Sequence, residues 1–170
     1  MKNMLKRTNL FLFFGAVTLL LTVYFIPEES VPPSKTAITS LITNDISHIQ
    51  IYTNNEISIN LNKDNNIWHV KFKNKSEIAK LNLIQLLLKL PSSSSQQQII
   101  ATSDQLNKFG FGDNNHKIRF DSLEITFGNI EPISRLRYIL IENKIHLIKD
   151  YYYPILLLPI NDFLDTKNNA

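Results

Sequence analysis

Four histidines, His48, His69, His116 and His146, are the residues of this chain best suited to ligate a metal ion or act as a general base. A metal site on one helix needs two imidazoles at a spacing such as H-x-x-x-H or H-E-x-x-H, so that both reach one ion. No pair of the four has it. His48 and His69 lie in strand-patterned segments, His116 opens another and His146 sits in a hairpin, so each reads as an exposed or hydrogen-bonded strand residue. Alternation turns His69 away from Trp68 and Val70, and His146 away from Ile145 and Leu147. Both are therefore expected to face solvent.

Nucleophilic chemistry has no better footing. No serine stands in a G-x-S-x-G elbow, and the run Ser92 to Ser95 is too flexible to pre-organise an attack. The spacing of Asp104, Asp113, Asp121 and Glu124 selects no two of them as an acid and base, and turn and cap roles account for them. Gly110-Phe111-Gly112 lacks the third glycine and the lysine of a phosphate-binding loop. With no cysteine, the chain has no disulfide, thiolate metal site, cysteine nucleophile or lipidated N-terminal cysteine. The sequence thus assigns no catalytic residue, no cofactor and no metal ligand. One candidate contact surface remains, Tyr151-Tyr152-Tyr153, because tyrosine joins apolar area to a polar tip at low entropic cost. Packing of alternate rings at the edge of the core is the competing reading.

The formal charge of +3 comes wholly from Lys2, Lys6 and Arg7, so the rest of the chain is neutral. A neutral body has no positive field to offset the neutralisation of phosphates, which argues against a nucleic-acid partner. Those three cations precede Leu10 to Ile26, LFLFFGAVTLLLTVYFI, an uncharged stretch followed by Pro27, Glu28 and Glu29. As a helix it would reach roughly 26 Å, close to a hydrocarbon core of about 30 Å, with snorkelling Lys6 and Arg7 covering the deficit. The expectation is a basic cytoplasmic head (1–9), a transmembrane anchor (10–26), a proline-stiffened linker (27–44) and an exported domain (45–170). Basic residues before the span and acidic ones after it put the N-terminus in the cytoplasm and the domain outside the inner (cytoplasmic) membrane. A cleaved signal peptide is the alternative. Against it, the apolar run is longer than a usual signal core and no A-x-A-like site follows.

The exported segment reads as α+β and mostly antiparallel, in two sheet-helix modules. Strands are expected over 46–53, 56–62 and 67–73, with Ile57, Ile59 and Leu61 alternating toward one face and Thr53-Asn54-Asn55 as a tight turn. Ser76 is the expected cap of a helix running to Leu90, striped by Ile78, Leu81, Ile84, Leu87 and Leu88 and stopped by Pro91. Ser92 to Gln98 reads as a solvated loop or edge-strand entrance. Asp104 would cap a short helix ended by Gly110. Strands follow over 116–120, 123–127, 135–142 and 145–149, with Glu142-Asn143-Lys144 as a hairpin tip, and a short helix begins at the tyrosines.

In their order these segments resemble the bacterial family described as domain of unknown function 4340. The resemblance is carried by the N-terminal anchor, Asp45-Ile46-Ser47-His48-Ile49, Ile67-Trp68-His69-Val70, the helix to Leu90, Leu106-Asn107-Lys108-Phe109-Gly110-Phe111, Ile125-Thr126-Phe127-Gly128-Asn129, Arg137-Tyr138-Ile139 and Ile145-His146-Leu147-Ile148-Lys149-Asp150. Phe109-Gly110-Phe111 resembles the family's Tyr-Gly-Leu element, although Gly112-Asp113-Asn114-Asn115 replaces the proline-containing turn that often follows it. The resemblance implies a membrane-anchored envelope protein, sometimes encoded beside ABC-type transporter components, with no established catalytic residues. The functional expectation is a non-enzymatic accessory or assembly factor that binds an envelope protein partner. The alternatives are a binding module for an envelope glycan or lipid, using the tyrosines, and an enzyme built from scattered carboxylates and histidines.

Overall fold

The computed structural model describes residues 36–72, 75–100 and 102–165, together with Gly15. The expected anchor, apart from Gly15, and the first part of the expected linker lie outside these residues. Among the described residues no helix is long and apolar enough to cross a membrane. The residues from Thr36 onward belong to one compact unit spanning 34–170.

The strands are β1 (Thr36–Ala37), β2 (His48–Thr53), β3 (Glu56–Asp64), β4 (Ile67–Phe72), β5 (Lys75–Ile78), β6 (Ser94–Ser95), β7 (Gln97–Ile100), β8 (Lys117–Phe120), β9 (Leu123–Ile130), β10 (Arg137–Ile141) and β11 (Lys144–Ile148). Helices cover Leu81–Leu88 and Tyr153–Leu156, and short 3-10 turns cover Thr43–Asp45, Leu106–Phe109 and Ile160–Phe163. The fold is thus mostly antiparallel sheet with few helices. Instead of two sheet-helix modules there is one nine-stranded sheet, ordered β5-β4-β3-β2-β8-β9-β10-β11-β7, and β1 pairs separately with β6. Every pairing is antiparallel.

Register aligns one apolar face across that sheet. Val70 lies opposite Leu61, Leu61 opposite Ile49, and Ile49 opposite Phe120. A second row runs from Ile59 through Ile51 and Ile118 to Ile125. All eight of these side chains are buried. Ile84, Leu87 and Leu90 from the first helix and its end, Ile38 and Ile46 from the N-terminal side, and Tyr152, Ile155, Leu156 and Phe163 from the C-terminal side share this core. Each fully buried Leu, Ile or Phe contributes about 1.5–3 kcal/mol relative to exposure, so the covered face is the main source of stability. Ile38 lies in the segment expected as linker, and β1 beside it pairs with β6.

The two tight turns of the first meander follow from asparagine. Asn54 and Asn55 take φ of 52° and 63°, and Asn65 and Asn66 take 47° and 66°. Asparagine tolerates the left-handed region that a two-residue hairpin turn matching the strand twist requires.

Three local expectations fail, the first two for a pairing reason. Ile57 is 49 % exposed because the β2/β3 register shifts at Ser58, putting Ile57 opposite Tyr52 and off the core face. Ser58 Oγ donates to the Ile51 carbonyl at this irregularity. Ser76 caps no helix: Lys75–Ile78 extends the sheet by pairing with β4, and the helix starts at Leu81 after Lys80, without a side-chain cap. Pro91 does end it. Asp104 is likewise no cap, since Gln105 precedes the turn Leu106–Phe109, although Gly110 closes that turn in the left-handed region as expected (φ 83°).

At the β9–β10–β11 end the sheet is covered on its second face as well. Phe111, Ile145 and Leu147 are buried but lie outside the main core cluster. Phe109 packs edge-on against Tyr138, with ring centroids 4.9 Å apart. Gly128 permits this second layer: a Cβ there would strike the Phe109 carbonyl oxygen and come within 2.9 Å of the Phe111 ring. Gly128→Ala should therefore destabilise the fold by about 1–3 kcal/mol, the usual range for overpacking. Urea unfolding checks this, and an unchanged midpoint would mean that the 109–111 segment is free to lift away.

Candidate functional site

The chemically capable side chains gather in three places, and the first is built around Arg137. Its strand is irregular: Arg137 lies opposite Ile130 but Ile139 lies opposite Phe127, so Gly128 and Asn129 face Tyr138 alone. The bulge frees the Gly128 carbonyl, which accepts from Arg137 Nη1 at 2.6 Å. Asp150 takes the other side of the guanidinium bidentately, at 2.6 Å from Nε and 2.9 Å from Nη2. Tyr153 lies under the cation, its ring centroid 3.7 Å from the guanidinium carbon, and its hydroxyl is 3.2 Å from His116 Nδ1. Burial first, and then the Arg137 charge, hold the His116 imidazole below its ordinary pKa. Arg137, at 7 % exposure, has its charge satisfied by protein groups, so this cluster serves as an anchor.

Ser47, His48 and Asp121 have the residue types of a hydrolytic triad but the wrong connectivity. In a working triad the imidazole stands between serine and carboxylate, with one nitrogen for each. Here Ser47 Oγ is 3.2 Å from His48 Nδ1, and Asp121 Oδ1 is 3.7 Å from that same nitrogen. Ser47 Oγ donates to Asp121 directly, at 3.0 Å. The Ser47 and His48 amides also donate to Asp121, at 3.2 and 3.0 Å. Asp121, left-handed at φ 48°, is a clamp from the β8–β9 turn onto the start of β2. Its turn role and the exposed, hydrogen-bonded state of His48 match the sequence reading.

His146 departs from it. The residue is 4 % exposed and faces the main core, opposite Ile139. Alternation holds, but Ile145 and Leu147 fill the second face, leaving His146 on the core side. It borders an open cleft of about 590 Å³ whose wall includes Ile38, Leu41, Asp45 and Leu123. Its Nδ1 is sealed and has no hydrogen-bond partner among the described residues. Burial, and secondarily Lys144, lower its pKa. His69 is half-buried. Among the described residues no three His, Cys, Asp or Glu side chains converge as a metal site would require.

The three tyrosines separate completely. Tyr152 is 8 % exposed and part of the core, and Tyr153 is held by Arg137 and His116. Of the three only Tyr151 is left exposed, at 62 %. It borders a hollow of about 240 Å³ lined also by Ser93, Ser94, Gln96, Lys149 and Tyr152. Lys149 Nζ lies 5.8 Å from the Tyr151 ring centre.

The turn between β9 and β10 is not among the candidates that residue type and spacing single out. The Glu131 carboxylate accepts from the Ile133 amide at 3.1 Å, the Ser134 amide at 2.5 Å and Ser134 Oγ at 2.6 Å. These bonds, the Ser134 hydroxyl first, lower the Glu131 pKa. The result is a turn whose tip holds Ile133 92 % exposed, beside the partly exposed Ile130. The signal was present in Glu131-Pro132-Ile133-Ser134, where proline presets a turn and the acid can reach the amides beyond it.

Comparison with protein-family models, with curated proteins and with solved structures found no match for this chain.

The histidines set a pH dependence. His146 carries a pKa lowered from its ordinary 6.5, so the unfolded chain takes up that proton more readily than the folded one. Its contribution is full above about pH 6.5 and is lost as pH falls through the folded value. The urea midpoint should therefore drop between pH 7 and pH 5, and by less in His146→Gln. Parallel pH profiles for the two proteins would overturn this assignment.

Proposed function

We propose that the chain is a single-pass, membrane-anchored accessory or assembly factor of the cell envelope, whose folded unit binds a protein partner and catalyses no reaction. The observation that carries this reading is Ile133, an apolar side chain held almost wholly in water on a turn fixed by the Glu131 carboxylate. A single exposed apolar residue needs no explanation. One on a pre-organised tip, with Ile130 and Pro132 beside it, has the form of an anchor that fills a pocket on a partner without a large ordering cost. The engagement of Ser47 by Asp121, and of Arg137 by Asp150 and Gly128, supports binding over catalysis, because the serine and the arginine are committed to holding the fold.

Placement in the inner membrane, N-terminus inward, rests on the charge pattern around residues 10–26 and on the resemblance to membrane-anchored envelope proteins. Alkaline carbonate should leave the protein in the membrane pellet, and release into the soluble fraction would contradict the anchor. For the partner, a photo-crosslinking residue at position 133 in intact cells should capture one envelope protein reproducibly. Ile133→Asp, with the crosslinker moved to position 130, should lose that adduct without altering thermal unfolding. Retention of the adduct would remove Ile133 from the interface. A second reading, a binding module for an envelope glycan, is favoured by the hollow beside Tyr151.

A further inference from the structure

We propose that the hollow bordered by Tyr151 and Lys149 binds one unit of an anionic saccharide, its acid group at Lys149 and its ring against Tyr151. This assignment deepens the glycan reading and is independent of Ile133.

Size sets the first limit. At about 240 Å³ the hollow is smaller than the sites of roughly 300–1,000 Å³ that enclose drug-sized ligands, so it suits one monomer of a longer chain. Its chemistry sets the second. The lining offers the Ser94 hydroxyl, an amide, an ammonium and phenols, with no carboxylate among them, while the Ser93 hydroxyl is sealed behind it. The nearest acid in sequence, Asp150, has both oxygens committed to Arg137. Among the described residues no carboxylate lies within ion-pair distance of Lys149, whose ammonium lies near the Tyr151 ring. A donor-rich hollow with one uncompensated cation favours an oxyanion that also carries hydroxyls.

Tyr151 argues against a bare anion. Its exposed ring gives apolar area that inorganic phosphate cannot use, whereas the C–H face of a pyranose can. One cation is also too little for a polyanionic nucleic acid, in keeping with the neutral body of the chain.

The test is calorimetric titration of the full-length protein in detergent with glucuronic acid, glucose and inorganic phosphate. Glucuronic acid should bind saturably and glucose about tenfold or more weakly, the worth of one charge-assisted hydrogen bond. Lys149→Gln should weaken glucuronic acid by a similar factor. Tyr151→Ala should weaken it about three- to tenfold and leave any phosphate binding unchanged. Both positions are exposed, so thermal unfolding of the variants should match that of the parent. Equal binding of glucose and glucuronic acid, phosphate binding as tightly as the sugar acid, or no saturable heat with glucuronic acid would each overturn the proposal. Ile133→Asp should titrate as the parent does, and Lys149→Gln should keep the position-133 crosslink, so the two readings fail separately.

Discussion

The constraint on which this fold depends is the cover demanded by one apolar face that runs almost the full width of a nine-stranded sheet. An antiparallel sheet can leave its other face to water, and over β2, β3, β8 and the start of β9 it does so, with Gln50, Tyr52, Arg119 and Glu124 forming polar contacts there. No single element of a chain this size can cover the apolar face. The residues after β1, the helix Leu81–Leu88 and the segment from Tyr152 to Phe163 each take a share. The helix Leu81–Leu88 has only Ile84 and Leu87 buried within its bounds, so the cover depends on irregular chain as much as on helix.

The β10–β11 end obeys a different rule, and most of the unusual residues collect there. Packing on both sides leaves β11 with four consecutive buried residues, Ile145 to Ile148. The second layer approaches closely enough to require glycine at 128, and the bulge beside it releases a carbonyl inside the protein. Arg137 answers that carbonyl. Burying a guanidinium is costly, and the cost is met by a bidentate carboxylate, a backbone acceptor and an aromatic face together. Removing one of these would leave a charge in a poorly solvated place. Tyr153 is drawn into this arrangement and is lost as a recognition residue, just as Tyr152 is lost to the core.

How much of this was legible in the sequence follows the same division. Where one face is wet, alternation gave the strands and their inward residues, as with Ile49, Ile51, Ile59 and Leu61. Asparagine pairs marked the hairpin turns, Pro91 the helix end and Gly110 the left-handed closure. Where both faces are covered, alternation says which residues share a face but not whether that face is wet, and His146 was misjudged for that reason. Lys75 to Ile78 carried a helical stripe that continued into the true helix, and only the open edge of β4 decides that it is a strand. Ser58 shows no sign of its bulge, because nothing in a serine distinguishes an alternating position from one that shifts the register. Of the three tyrosines, the sequence does not show which stays exposed, since the place of Tyr153 depends on Arg137, sixteen residues upstream of it.

The Arg137–Asp150 pair also bears on recognition, through where its two halves stand in the chain. Arg137 follows the Glu131–Leu136 turn directly, and Asp150 directly precedes Tyr151 and follows Lys149. The ion pair therefore fixes the foot of the turn that presents Ile133 and the foot of the segment that presents Tyr151. Loops that carry recognition residues are usually the least stable parts of a fold. Here each candidate surface begins within one residue of a buried, bidentate contact, and each exposed side chain emerges from backbone that is already ordered. Both surfaces thus meet the condition for binding at low entropic cost, and the arginine that stacks on Tyr153 is also tied to Asp150, the residue before Tyr151.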